Sequence, residues 1–254
     1  MKAAFIVFLL LIACSVKSQD SVALKTAKAH PMQYYISLPR NWSMQKTWPV
    51  VVAVVDAEKD FKNFASQFAR ASAPFPFIVV TPLVVSNGSY GHRSSSVYPY
   101  SSSTWDRIDR DGACSFDIDG VMAVIREVQQ KYHGASRIFI TGFEAGAHLL
   151  WAMVFLHPEL LFAAAPVSGN YIGRCLAEGS ISKDSSRSNL PVISFYGTKD
   201  SLWNQFLKKQ DEQARNLATA KGYRNVSIKA VAGKGHEPMA NEVIEYFGRL
   251  NSLK

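Results

Sequence analysis

Three short segments carry side chains that could do acid–base or nucleophilic chemistry. Gly142-Phe143-Glu144-Ala145-Gly146 follows the apolar run at residues 137–141 and precedes a stretch with helical character. Its two glycines stand two residues either side of the centre, the spacing of a Gly-x-Ser-x-Gly turn. Such a turn is tight, and the strand entering it and the helix leaving it come close. Small residues are needed on both sides, and the central side chain is pushed out at a helix N-terminus. Gly197-Thr198-Lys199-Asp200 follows a second apolar run at residues 191–196. Gly233-Lys234-Gly235-His236 follows a third at residues 226–231. The chain order Glu144, Asp200, His236 is therefore that of nucleophile, acid and base in one class of hydrolytic triad.

A glutamate at the centre changes what that triad can do. A serine nucleophile gives its proton to the histidine, and donors aimed at the developing oxyanion lower the barrier. Glutamate is ionised near neutral pH and has no proton to give. Its charge suits a helix N-terminus, by about 0.3–1 kcal/mol at an exposed site. If Glu144 and Asp200 both flank His236, two carboxylates favour the imidazolium and an ion-paired triad is expected. The N–H of Ala145 remains a candidate oxyanion donor, whereas Asp56, after the run at residues 49–55, is expected to bring a second negative charge to that place. Two active alternatives stay open: Glu144 as a nucleophile forming an alkyl-ester intermediate, or as a general base for direct attack by water. No His-Glu-x-x-His pattern or similar spacing calls for a metal, and no cofactor is predicted. His148 and His157 read as core or capping residues.

The elements that must hold these groups follow from hydrophobic periodicity. Strands are predicted at residues 33–39, 49–55, 77–85, 137–141, 162–167, 191–196 and 226–231. Helices are predicted at residues 60–71, 117–132, 145–156, 202–220 and 238–250. The run Pro49-Val50-Val51-Val52-Ala53-Val54-Val55 is nearly continuous in β-branched residues, as in a strand buried on both faces. Strands alternating with helices argue for βαβ units in a mainly parallel twisted sheet, with helices on both faces and functional groups at the strand carboxyl ends. Residues 86–104 are rich in serine and lack periodicity. They read as a surface loop whose Tyr90, His92, Tyr98 and Tyr100 could border a pocket and contact carbohydrate or aromatic groups.

Taken together, the segments QYYISLP, WPVVVAVV, DIDGVMAVIREVQQKY, RIFITGFEAGAHLLWAMVFLHPELLFAAAPVSG, FYGTKD and GKGHEP resemble secreted esterases of the feruloyl esterase and polyhydroxybutyrate depolymerase group, within the α/β-hydrolase superfamily. The resemblance implies an α/β-hydrolase fold, with Asp200 in place of the acid and His236 in place of the base. It also implies that the nucleophile serine falls on Glu144, and that a His-Gly pair serving the oxyanion hole falls on Val55-Asp56. Esterase ancestry without ordinary serine-esterase activity is the function this implies.

Length and composition set the remaining bounds. The chain has 254 residues, 48% hydrophobic and 19% charged, which suits one packed domain. Lys2 and the apolar residues 3–13 read as a signal peptide, too short to span a bilayer. Two cleavage readings stand: after residue 18, leaving a domain of residues 19–254, or before Cys14 at a lipobox, leaving a lipid-anchored chain. The protein is expected to be secreted or periplasmic in the first case and held at the cell envelope in the second. Cys114 and Cys175 are a candidate disulfide in an oxidising compartment. The formal charge of +8 is scattered, with no aromatic-interleaved basic stripe for nucleic acid. A small ester or carbohydrate-linked ligand is the expected partner, with membrane contact only through a lipid on Cys14.

Overall fold

The computed structural model describes residues 22–88, 93 and 95–252. The expected signal segment, Cys14, Tyr90 and His92 lie outside the described residues. Eight strands form one sheet in the order β1-β2-β4-β3-β5-β6-β7-β8. They are β1 (Ala23–Thr26), β2 (Gln33–Ser37), β3 (Val50–Val54), β4 (Ile78–Pro82), β5 (Ile138–Phe143), β6 (Leu161–Val167), β7 (Val192–Gly197) and β8 (Val226–Val231). β2 runs antiparallel to both of its neighbours, and every other pairing is parallel. Among the described residues the six α-helices are α1 (Phe61–Ala71), α2 (Ser102–Asp111), α3 (Ala113–Lys131), α4 (Gly146–Leu156), α5 (Lys208–Ala220) and α6 (Ala240–Ser252). This is an α/β-hydrolase fold.

All of β3 and β5 is buried, so both faces of the central sheet are covered. α1 packs on α6, and α3 packs on α2 and α4. Each valine sealed in β3 contributes about 1.5–3 kcal/mol relative to an exposed one. α4 is apolar around nearly its whole circumference and is buried from Gly146 to Phe155, which marks a helix enclosed on all sides. Among the described residues no helix is long and apolar enough to cross a membrane.

β3 and β5 are adjacent, yet the chain leaves β3 for β4 on one side and continues outward from β5 on the other. This reversal is a topological switch point, where the carboxyl ends of the strands open a crevice. The loop after β3 and the turn after β5 therefore face each other.

The structure departs from the sequence reading at several places. β1 is an extra strand at the sheet margin, exposed throughout. The expected strand at residues 77–85 stops at Pro82, because proline removes a ladder donor. The expected loop at residues 86–104 is cut short by α2, which Ser101 caps by accepting the Thr104 N–H. Only Thr104 and Ile108 of α2 are buried, so it carries almost no apolar stripe. Tyr98 and Tyr100 are not pocket-facing. Their hydroxyls donate to the Val84 and Leu83 carbonyls at 2.6 and 2.8 Å. Their rings pack with Trp105, Phe61 and Phe116.

Candidate active site

Glu144 stands between β5 and α4 with φ of +47°. A left-handed backbone at a bulky residue costs about 1–3 kcal/mol and persists only where the surroundings impose it. Here three backbone hydrogen bonds impose it. The Glu144 N–H donates to Val167 at 3.0 Å, and its carbonyl accepts from Ala147 at 3.1 Å and from Asn170 at 3.0 Å. The flanking glycines are required sterically. A Cβ on Gly142 would lie 2.6 Å from the Gly146 carbonyl oxygen, and one on Gly146 would lie 2.6 Å from that of Val55.

The Glu144 carboxylate does not join the histidine. Oε2 accepts the Ala57 N–H at 3.2 Å, and Oε1 accepts from Asn170 Nδ2 at 3.0 Å. Among the described residues Glu144 makes no ion pair. The expected ion-paired triad is thus corrected to two separate units. The reason is local: neutral donors on the β3 and β6 exit loops already satisfy the carboxylate.

The second unit is a histidine–aspartate dyad. His236 Nδ1 lies 3.0 Å from Asp200 Oδ2. The same oxygen accepts from Ser168 Oγ at 2.6 Å, and Oδ1 accepts the Trp203 N–H at 3.1 Å. Burial alone would raise the proton affinity of Asp200. The hydrogen bonds from Ser168, His236 and Trp203 outweigh it and hold the carboxyl below its ordinary range. The two loops that carry the dyad are tied together, since the Lys199 N–H donates to the Lys234 carbonyl at 2.8 Å. The His236 ring packs 4.8 Å from that of Phe143, which brings the dyad beside the Glu144 turn.

Asp56 sits in the loop after β3. Burial, and next the charge of Glu144, raise its proton affinity, while the Glu58 and Lys59 backbone donors oppose the shift. The loop's backbone donor to Glu144 is the N–H of Ala57, one residue further on. Asn87 Nδ2 clamps this loop through the Val55 carbonyl at 2.9 Å and the Asp56 carbonyl at 2.8 Å. Ala145 is buried at the head of α4.

Cys114 and Cys175 are joined by a disulfide with Cα atoms 5.0 Å apart. It pins the segment after β6, which carries Asn170, to the first turn of α3. His148 is buried, and His157 ends α4, 3.4 Å from Glu159. Among the described residues no cluster of three His, Cys, Asp or Glu side chains is placed to hold a metal.

Ala57, Asn170, Ser168 and Asn87 belong to the site and escape sequence reading. Ala57 acts through its main chain, which has no residue signature. Ser168 and Asn170 follow β6 directly, so their place at a strand carboxyl end was the available signal.

Comparison with known proteins agrees with the fold. A sequence model of the phospholipase/carboxylesterase family matches residues 110–247. No curated protein matches the chain by sequence. Among solved structures, a thermostable esterase aligns with a TM-score of 0.57 and 16% identity over 90% of this chain, which spans 60% of that esterase. The poly(3-hydroxybutyrate) depolymerase LpqC of Bordetella parapertussis aligns with a TM-score of 0.61 and 13% identity, over 92% of this chain and 94% of its own. The feruloyl esterase module from Clostridium thermocellum aligns at 0.55 and 15%, over 91% and 86%. At these identities the structural likeness speaks for the fold.

Proposed function

Because the chain belongs to the phospholipase/carboxylesterase family of α/β-hydrolases, we propose that it is an esterase-derived protein in which Glu144 replaces the nucleophile and ordinary serine-esterase chemistry is lost. One observation carries this reading. The Glu144 carboxylate itself takes the Ala57 N–H at 3.2 Å. An oxyanion donor already engaged by a fixed anion is not available to a tetrahedral intermediate, and losing one such donor costs about 2.7–4 kcal/mol. The nearby Asp56 carboxyl adds to the cost. Binding of a small ester or carbohydrate-linked ligand without turnover is the role that remains. The test is direct: the protein is incubated with short-chain nitrophenyl esters and with a fluorophosphonate probe. Neither turnover nor covalent labelling is expected, and efficient turnover abolished by labelling would overturn the reading.

The intact dyad favours a second reading. His236, oriented by Asp200, would activate water, and Glu144 would serve as nucleophile toward an alkyl carbon or as a general base. In that case Glu144→Gln abolishes whatever hydrolysis the wild type shows; an unchanged rate would rule it out.

The disulfide supports export to an oxidising compartment. We place the protein outside the cytoplasm, either free or tethered through Cys14. Intact-mass analysis of the protein recovered from its native host separates cleavage after residue 18 from a lipidated Cys14.

A further inference from the structure

Asp117, on α3, is fully buried but lies outside the site described above. Its oxygens accept the Val85 N–H at 3.0 and 2.9 Å and the Ser86 N–H at 2.6 Å. Those donors open the segment that leaves β4. The next residue is Asn87, 1% exposed, whose amide clamps the Val55 and Asp56 carbonyls. One residue further along that loop, Ala57 donates to Glu144. Hydrogen bonds joined by single peptide bonds therefore run from a carboxylate on α3, through two strand-exit loops, to the carboxylate at the centre of the site.

We propose that Asp117 is the positioning residue of this site, and that its protonation state sets how firmly the Ala57 N–H is held against Glu144. The inference rests on the site assignment made above but not on whether the site is silent. Charge-assisted hydrogen bonds to an ionised acceptor are roughly twice as strong as neutral ones, so the ionised form holds Val85 and Ser86 more tightly. Burial raises the Asp117 proton affinity to about 7, against the hydrogen bonds from Ser86 and Val85 and the charge of Lys59. Lys59, from the loop after β3, is the cation that faces it, and its own proton affinity is lowered by burial and raised by Asp117. Tyr98 and Tyr100, from the segment before α2, are the other titratable groups that feel its charge, and burial pushes both well above neutrality. Of Asp117, Tyr98 and Tyr100, Asp117 is the one in a position to change charge near pH 7.

The test follows the Asp117 carboxyl carbon and the backbone amides of Ala57, Val85 and Ser86 by NMR between pH 5 and 9. All four signals are expected to titrate together in the wild-type protein, with a midpoint near 7. His236 packs beside the same turn through Phe143, so His236→Asn is measured in parallel, and the shared titration should persist there. It should vanish in Asp117→Asn, with the Ala57 amide shift becoming flat. An Ala57 signal that ignores the Asp117 carboxyl, or that stops titrating only in His236→Asn, would overturn the proposal. The wild-type comparison needs no substitution, so a variant that fails to fold does not remove the test. Ester turnover would sink the silent-site reading and leave this one standing.

Discussion

The two halves of the site differ in what they hold. On the β7 and β8 side, Asp200 receives three donors and holds His236 by one nitrogen, an arrangement suited to proton transfer. On the β3 and β5 side, the turn geometry is equally well formed, but the side chain it presents is an anion bound to the loop that should receive one. A strained turn and an oriented base can both form around a carboxylate. Scaffold geometry is set by glycines, backbone hydrogen bonds and burial, none of which depends on the nature of the central side chain.

That contrast can be broken by experiment. The largest effect is expected from the disulfide, which anchors the segment bearing Asn170. Replacing Cys114 and Cys175 by serine should cost about 4 kcal/mol for a closed loop of this length, read from urea midpoints. NMR shifts should change around Glu144 and Asn170 and leave His236 and Asp200 in place. Next comes a serine introduced at the turn. Glu144→Ser alone should give slow turnover of nitrophenyl esters, because Asp56 still faces the oxyanion region. Adding Asp56→Gly and Val55→His should raise kcat/KM by about 100-fold, a gain similar to that of one oxyanion donor. Equal rates for the two variants would remove Asp56 from the account.

Acid stability probes the other half. The folded Asp200 carboxyl titrates below its ordinary value of 3.8, so the stability it contributes is present above that pH and is lost as pH falls through the folded value. Asp200→Asn should remove that part of the acid transition seen by circular dichroism. The smallest change is Ser168→Ala, which deletes one of three donors to Asp200 and should cost about 1 kcal/mol. Equal acid profiles for Ser168→Ala and wild type would show that His236 and Trp203 alone hold the anion.

Much of this architecture was legible in the sequence, and the failures have physical causes. The buried valines of β3, the glycine-flanked turn at Glu144 and the strand-end positions of Asp200 and His236 all carry strong local patterns. Glu144 was correctly placed on the turn but wrongly paired, because its partners are an alanine N–H and an asparagine from distant strand exits. α2 was missed because its surface is polar almost all round, with Arg107 and Asp111 paired 3.2 Å apart in place of an apolar stripe. Tyr98 and Tyr100 read as residues that could border a pocket because their loop leaves a strand carboxyl end, whereas their rings complete an aromatic core. Asp117 was seen only as part of a helix, since nothing local says that a carboxylate will be wholly enclosed.

Among the described residues the two outermost strands of the sheet, β1 and β8, have no neighbour on their far sides. Such margins invite pairing with another chain. Each bears one lysine, Lys25 and Lys229, and β1 is only four residues long. Brevity at β1 and a lysine on each rim therefore guard against edge-to-edge association, and a variant with Lys25 and Lys229 replaced by valine should be markedly more prone to form aggregates.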